Sequence, residues 1–281
     1  MSLHTAAIER LPHVKAALNF ILPSAEKPLS YEYDPPSGVP RTTAAYEART
    51  VPIHNMRPIA GEFSLEREGV RLVHAPTQVE DFYDERQIRK YYYPEAERLV
   101  RELTGASRVV IFDVTIRQRI PGVSDRSTEW PRQPVPRVHV DYTVKSGPQR
   151  VRDLLGEEAD ELLRRRFSVV NVWRPIRGPL QDSPLAVSDA QSVRFEDLVA
   201  TDLLYANRIG EIYMVKFNAE HRWFYAPQMS TEEVLAFKCF DSAEDGRARF
   251  APHAAFEDPT TPLDAWPRES IELRTLAFHA D

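Results

Sequence analysis

The sequence has one cysteine, Cys239, among 281 residues. A single thiol excludes an internal disulfide framework and a cysteine-based zinc or iron–sulfur site. Cys239 lies in the largely apolar segment 235–240, which is typical of a buried, unreactive thiol. The apolar runs fall far short of the roughly 20 residues that a membrane-spanning helix needs. The N-terminus also lacks the charged-then-apolar pattern of a signal peptide. We therefore expect a cytoplasmic protein that does not enter a membrane.

The sequence has only a small excess of negative over positive charge, and it contains few glycines. The formal net charge is −6, with Lys and Arg scattered along the chain, which disfavours nucleic acid as a partner. There are 10 glycines but 23 prolines, a balance that indicates many loops and strand ends and disfavours a helical bundle. The length suffices for one large domain with a substantial core. Nothing in the sequence indicates the oligomeric state.

The first third of the chain differs in pattern from the rest, so we divide one domain, 1–281, into an N-terminal part, 1–106, and a core, 107–281. Residues 5–22 place apolar side chains at helical spacing, and the Pro-rich stretch that follows to about residue 58 predicts an extended arm. Residues 63–73 predict a hairpin. Residues 87–103 form the clearest amphipathic helix, ended by Gly105.

Strand patterns dominate from residue 107 onward, with helices predicted only within 147–166. The predicted strands are 108–116, 137–143, 167–173, 185–187, 211–217, 221–225, 233–240, 248–255 and 271–278. Many short strands with turn-rich joints predict a mostly β fold with flanking helices (α+β). We expect a double-stranded β-helix core, jelly-roll or cupin-like, with the N-terminal helical and extended segment packed on it.

Two candidate metal ligands lie on the strand 137–143. Its polar and apolar residues alternate, so His139 and Asp141 share one face. With a distant histidine they would form the two-His-one-carboxylate triad of non-haem Fe(II) oxygenases, which leaves three coordination positions open. The H-x-D pattern alone is common by chance, so this interpretation depends on a third ligand.

His221 and His253 are both candidates for the third ligand. An oxygenase that uses 2-oxoglutarate also needs a cation on the next strand to hold the far carboxylate of that co-substrate, and arginine suits this role. The segment after His253 supplies such cations, whereas the segment after His221 does not. We therefore favour His253 and expect His221 to contact the substrate or a ligand. By period two, one strand face carries Arg268, Ser270, Glu272 and Arg274.

Several other side chains could face the cavity. Asn171 can donate and accept, so it could steady the co-substrate or a metal-bound water. Trp173 and Arg174 could contact substrate, or Trp173 could be core while Arg174 pairs with Asp182 or Glu211. Tyr142 is a further candidate contact. The group Arg117, Arg119 and Arg126 predicts a solvated face; at the cavity mouth it would instead favour an anionic substrate.

Six blocks, in one order along about three-fifths of the chain, resemble a family of Fe(II)/2-oxoglutarate oxygenases. That family includes fungal endoperoxide-forming enzymes, gibberellin-desaturase-like enzymes and a cephamycin methoxylation component. The blocks are 138–143, 170–176, 181–186, 221–225, 237–242 and 252–274. The resemblance implies Fe(II), 2-oxoglutarate and O2, with His139, Asp141 and His253 matching the metal motif. The co-substrate anchor stays open between Arg268 and Arg274.

Three functions follow from these patterns. The first is an oxygenase that hydroxylates, desaturates or cyclises a small molecule, from secondary metabolism or derived from an amino acid, with release of succinate and CO2. The second is a cupin-like metal-dependent hydrolase or isomerase, in which the same ligands hold Zn²⁺ and activate water. The third is a barrel that binds a small molecule without catalysis. The sequence favours the first.

Overall fold

The computed structural model describes residues 8–125 and 130–280, and fourteen strands lie within them. The strands are β1 His13–Ile21, β2 Leu29–Tyr31, β3 Tyr46–Asn55, β4 Val70–His74, β5 Arg108–Gln118, β6 His139–Val140, β7 Phe167–Pro175, β8 Leu185–Ser188, β9 Leu198–Leu204, β10 Ile209–Val215, β11 Trp223–Tyr225, β12 Glu233–Asp241, β13 His253–Ala255 and β14 Glu269–Phe278. The helices are α1 Glu85–Gln87, α2 Tyr93–Thr104, α3 Ser146–Leu155 and α4 Ala159–Leu162, and a π-helical turn, Ile88–Tyr92, joins α1 to α2.

The strands form two sheets whose inner faces meet. One sheet has the order β4-β12-β7-β14-β5, and the other has the order β1-β3-β11-β8-β13-β6-β10-β9-β2. Val169 and Phe237 from the five-stranded sheet share a buried core with Val140 and Val187 from the nine-stranded sheet. Apolar side chains on the inner faces therefore hold the sheets together. The predicted jelly-roll core with flanking helices is confirmed.

Helix α2 covers the outer face of the five-stranded sheet. Its buried residues Ala96 and Val100 pack in one cluster with Val172 of β7 and Leu273 of β14. The helix ends at Gly105, whose φ of 69° is in the left-handed region that favours glycine. This helix was predicted from its spacing. Because α2 occupies one face of β7 and β14, alternate residues on those strands point the other way, between the sheets.

The helix predicted for residues 5–22 is wrong, because most of this segment is strand β1. Ala16, Leu18 and Phe20 are buried at period two, and β1 pairs along its whole length with β3. Leu18 and Ile21 fit the spacing of a helix, but the alternation of Ala16, Leu18 and Phe20, which is typical of a strand, was overlooked. Instead of packing on the barrel as a helix, this part of the chain extends the nine-stranded sheet.

Other differences are smaller. Of the hairpin predicted for 63–73, only the second arm is a strand, β4, and it pairs with β12 instead of its own neighbour. Strands β2, β3 and β9 lie where none was predicted. In the described part of the chain, no helix combines the length and the apolar character needed to cross a membrane.

Candidate active site

The pairing of two central strands brings three predicted ligands together. His139 on β6 lies directly opposite His253 on β13 in the nine-stranded sheet, and Asp141 follows β6 at once. One donor atom from each of the three lies within 4.8 Å of the other two. The side chains are largely shielded from solvent, with 12% exposure for His139, 9% for Asp141 and 3% for the whole His253 residue.

Backbone carbonyls fix the orientation of both imidazoles. Nδ1 of His139 lies 2.8 Å from the carbonyl oxygen of Arg137, and Nδ1 of His253 lies 3.2 Å from that of Ala251. Because a carbonyl only accepts, each Nδ1 donates and each Nε2 keeps a free lone pair for a metal. Burial and then the neighbouring His139 lower the pKa of His253 to about 3. The His253 imidazole is therefore neutral at physiological pH, as a ligand must be.

The carboxylate of Asp141 is held from the opposite sheet. Its Oδ2 accepts hydrogen bonds from Nδ2 of Asn171 at 2.7 Å and from Nε of Arg274 at 2.8 Å. Its Oδ1 is turned toward the imidazoles, 3.5 Å from Nε2 of His139. Burial alone would raise the pKa of Asp141, but above all the charge of Arg274 holds it well below its usual range. Asp141 is thus an ionised carboxylate with one oxygen left for a metal.

These donors fit ferrous iron. Two neutral imidazole nitrogens and one carboxylate oxygen are the donor set of non-haem Fe(II) oxygenases, and three coordination positions remain for small ligands. In such sites, neighbouring side chains or carbonyls orient each metal ligand by hydrogen bonds. Here Asn171 and Arg274 donate these hydrogen bonds to Asp141.

Asn171→Ala should weaken Fe(II) binding by roughly 10- to 100-fold, the usual effect of losing an outer partner of a metal ligand. The reason is that Oδ2 of Asp141 would lose its amide donor and the carboxylate could rotate. Anaerobic titration with Fe(II) measures the effect. Asn55→Ala, a change of the same type at the end of β3, provides the control. Equal Fe(II) affinity in the two variants would contradict this role for Asn171.

Arg274 lies within ion-pair distance of three carboxyl groups. Besides Asp141 it contacts Asp113 of β5 through Nη1 at 2.5 Å and Glu272 through Nη2 at 2.8 Å. Strand register explains the cluster, because Arg274 lies opposite Asn171 on one side and opposite Asp113 on the other. Directly opposed residues of an antiparallel pair point to the same face. The guanidinium of Arg274 is therefore already surrounded by carboxyl groups of the protein itself.

Arg268, which directly precedes β14, differs from Arg274 because its guanidinium has no carboxylate partner among the described residues. It is 2% exposed; its Nε donates to Oγ of Ser270 at 3.0 Å, and its Nη1 donates to the carbonyl of Ser183 at 2.9 Å. The guanidinium lies over the ring of Trp173, 4.9 Å from the centroid. Among the described residues, no carboxylate lies within ion-pair distance of it. Burial and then the charge of Arg117 lower the pKa of Arg268 to about 9, so it remains a cation at physiological pH. The nearby carboxylate of Asp182 accepts from the backbone N–H of Arg268 and not from its guanidinium.

A cavity of about 380 Å³ opens beside the three candidate ligands. His139, Asp141 and Arg274 form part of its wall, and Tyr142 lies in the wall next to them. The arm that contains β2 covers one side, as predicted for this segment. A small organic molecule bound in this cavity would therefore lie against the candidate metal centre.

Two predicted residues lie elsewhere. His221 is fully buried in a separate pair with Asp197, with Nε2 and Oδ2 3.1 Å apart. Arg174 points toward α2, donates to the backbone carbonyls of Ala75 and Thr231, and pairs with neither of the acids considered for it. The structure therefore brings neither His221 nor Arg174 into the wall of the cavity.

The remaining predicted residues have varied surroundings. Trp173 lies between the sheets under Arg268, and Tyr142 lines the cavity. Arg126 lies outside the described residues. Cys239 is fully buried, and burial followed by the charge of Asp141 raises the pKa of its thiol well above the usual range, so it is not a thiolate nucleophile.

Several cavity residues had no place in the predicted site, among them Asp113, Arg132 and Gln133. Asp113 lies on the inward face of β5, a strand whose continuous apolar pattern concealed its few inward polar residues. Arg132 and Gln133 lie in a loop, where no periodicity indicates direction. Arg117, predicted on a solvated face, also lines the cavity.

Comparison with known proteins places this site in a family. A family model described as "Oxidoreductase/YMDC permease-like domain" matches residues 18–278. The hydroxylase/desaturase efuI of Hormonema carpetanum is 34% identical, over 99% of this chain and 98% of its own length. The Fe(II)/2-oxoglutarate-dependent dioxygenase nvfI of Aspergillus novofumigatus is 31% identical, over 92% of this chain and 94% of its own. The chain belongs to the Fe(II)/2-oxoglutarate-dependent oxygenases.

A solved structure agrees with this assignment. The oxygenase superposes on the iron and alpha-ketoglutarate-dependent endoperoxidase NvfI with a TM-score of 0.86 and 27% identity, over 96% of this chain and 99% of the other. The predicted family, enzyme class and requirement for Fe(II), 2-oxoglutarate and O2 are confirmed. The relatives named above do not support the alternatives of a hydrolase or a non-catalytic barrel.

Proposed function

We propose that His139, Asp141 and His253 hold the Fe(II) of this oxygenase and that Arg268 with Ser270 holds the distal carboxylate of 2-oxoglutarate. One observation carries the proposal: two Nε2 atoms and one carboxylate oxygen, each with its other polar atom already bonded, converge at the cavity wall. When bound, Fe(II), 2-oxoglutarate and O2 supply the oxidising equivalents, and the 2-oxo acid leaves as succinate and CO2.

The choice of Arg268 over Arg274 follows from charge. Arg274 already faces Asp113, Asp141 and Glu272, so an added carboxylate would compete with three existing ones. The guanidinium of Arg268 donates only to neutral oxygens, and the carboxylate of Asp182 accepts from the backbone N–H of Arg268 instead. A buried guanidinium without an anion is costly, and a carboxylate bound in a fork-to-fork geometry would remove that cost. The Ser270 hydroxyl offers an additional donor to the same anion.

The other residues of the site position these groups. Arg274 and Asn171 keep Asp141 ionised and turned toward the metal ligands, and the carbonyls behind His139 and His253 fix the imidazole rings.

Arg268→Gln should raise the Kd of 2-oxoglutarate by about 10- to 150-fold, the equivalent of a charge-assisted hydrogen bond. Fe(II) binding should change little, because Arg268 contacts none of the three ligands. Anaerobic titration of the Fe(II) protein with 2-oxoglutarate, followed by its visible charge-transfer band, measures the Kd. Arg268→Lys keeps the charge but not the fork and should lie between Gln and wild type. An unchanged Kd in the Gln variant would eliminate Arg268 as the anchor.

The substrate is a small molecule, which we propose to be a secondary metabolite that the enzyme hydroxylates, desaturates or cyclises; an amino-acid derivative would also fit the cavity. We further propose a single domain over residues 1–281, because β1 and β3 of the N-terminal part belong to the nine-stranded sheet. A cytoplasmic location is consistent with the single cysteine.

A further inference from the structure

Two arginines lie side by side on one wall of the cavity, and neither forms an ion pair with a described residue. A backbone bridge joins Arg117 to Arg132, and both line the cavity together with Gln133. Nη1 of Arg117 donates to the backbone carbonyl of Gln133 at 2.9 Å. Within residues 8–125 and 130–280, no carboxylate lies within ion-pair distance of either guanidinium. Both charges are therefore available to a ligand.

Gln133 adds an unused buried donor to the same wall. The residue is 4% exposed, and its Oε1 accepts from the backbone N–H of Ile120 at 2.9 Å, which fixes the orientation of the amide. In the described part of the chain, Nε2 of Gln133 has no hydrogen-bond partner. A buried donor without an acceptor is costly and uncommon. An oxygen atom of a ligand in the cavity would satisfy it.

Three other arginines of the cavity wall are paired with carboxylates. Arg41 pairs with Asp34, and Arg137 pairs with Asp125. Arg274 serves the metal-ligand carboxylate and its neighbours. Arg150 and Arg208 also line the cavity, and they lie over the rings of Phe112 and Tyr205 without an ion pair to any described residue. What distinguishes the wall formed by Arg117 and Arg132 is that its positive charge lies beside the buried amide donor of Gln133.

We propose that Arg117, Arg132 and Nε2 of Gln133 form an oxyanion subsite that binds the acidic group of the primary substrate, a carboxylic acid or a compound with a comparably acidic oxygen. This inference rests on the proposed function, in which Arg268 and Ser270 hold the co-substrate. The subsite would tether the substrate at its acidic end and present the rest of the molecule to the centre formed by His139 and its partners.

The test uses the full chain with Fe(II) and 2-oxoglutarate under anaerobic conditions. The probes are benzoic, naphthoic and octanoic acids, each compared with its methyl ester, and the change in the visible charge-transfer band gives each Kd. We expect at least one acid to bind at least about tenfold more tightly than its ester, a difference of about 1.4 kcal/mol. Arg117→Gln and Gln133→Leu should each remove most of this preference. Gln133→Leu should also change the Kd of 2-oxoglutarate less than about threefold, whereas Arg117 lies opposite Ser270 and its loss can also affect the co-substrate.

Arg108→Gln is the matched control, because Arg108 lies at the other end of β5 and its side chain is 41% exposed; it should keep the preference. If Arg117→Gln fails to fold, Gln133→Leu and Arg132→Gln test the same subsite. Equal binding of acid and ester throughout the panel would overturn the inference, as would a preference that survives in the variants. A large rise in the Kd of 2-oxoglutarate with the acid preference intact would assign these residues to the co-substrate instead. If no band forms in the wild type, the proposed function itself fails.

Discussion

His253→Ala should abolish the visible charge-transfer band that Fe(II) and 2-oxoglutarate give in the absence of O2, and should reduce succinate release by more than about 100-fold. Loss of an outer partner already costs up to about 100-fold, so loss of a ligand should cost more. The two remaining donors, His139 and Asp141, would leave the iron with an incomplete set. Spectroscopic titration measures binding, and succinate release measures turnover.

His221→Ala is the informative comparison, since His221 was the other candidate ligand. It is buried with Asp197 away from the three candidate ligands, so its loss should lower the melting temperature and leave the band. His74→Ala, an exposed histidine on β4, should affect neither property. A band that persists in His253→Ala and disappears in a folded His221→Ala would show that the ligand assignment is wrong.

The part of the site that follows from strand alternation was predictable. Arg268, Ser270, Glu272 and Arg274 share the inward face of β14, and Ile271 and Leu273 pack toward α2, as period two requires. The prediction that His139 and Asp141 share one face follows from the same rule. The arginines that follow His253 in the sequence favoured His253 over His221 as the third ligand. These inferences need only local geometry and the chemistry of the co-substrate.

The different surroundings of Arg268 and Arg274 could not be predicted, because they depend on residues from distant strands. Asp113 reaches Arg274 from β5, and the carbonyl of Ser183 reaches Arg268 from the segment before β8. The spacing of residues along the sequence does not reveal which distant strands lie beside β14 or in which register they pair. Arg117 was predicted on a solvated face, with the cavity mouth as the alternative, since a charged residue is more often solvated than directed into a cavity. Gln133 was not predicted to lie in the site.

Arg274→Gln should destabilise the metal-free protein by about 3–5 kcal/mol, the cost of removing one partner from buried ion pairs. Three carboxylates, Asp113, Asp141 and Glu272, would lose their shared cation and repel one another. Chemical denaturation followed by tryptophan fluorescence measures the free energy of unfolding. Arg274→Lys keeps the charge at a single point and should lose less. The same change should also weaken Fe(II) binding, because Oδ2 of Asp141 would lose its strongest donor.

The pH dependence separates lost charge compensation from simple loss of packing. In the wild type, the lowered pKa of Asp141 stabilises the fold above about pH 4 and is lost as the pH falls through the folded-state value. In Arg274→Gln, burial and mutual repulsion would act without the opposing cation, so the folded-state pKa values of Asp141 and Glu272 should lie above their unfolded values. Protonation then relieves the repulsion, so the deficit in unfolding free energy relative to wild type should be smaller at pH 5 than at pH 8. A deficit that is equal at both pH values would mean that Arg274 acts through packing, and its assignment as the cation of the three carboxylates would have to be abandoned.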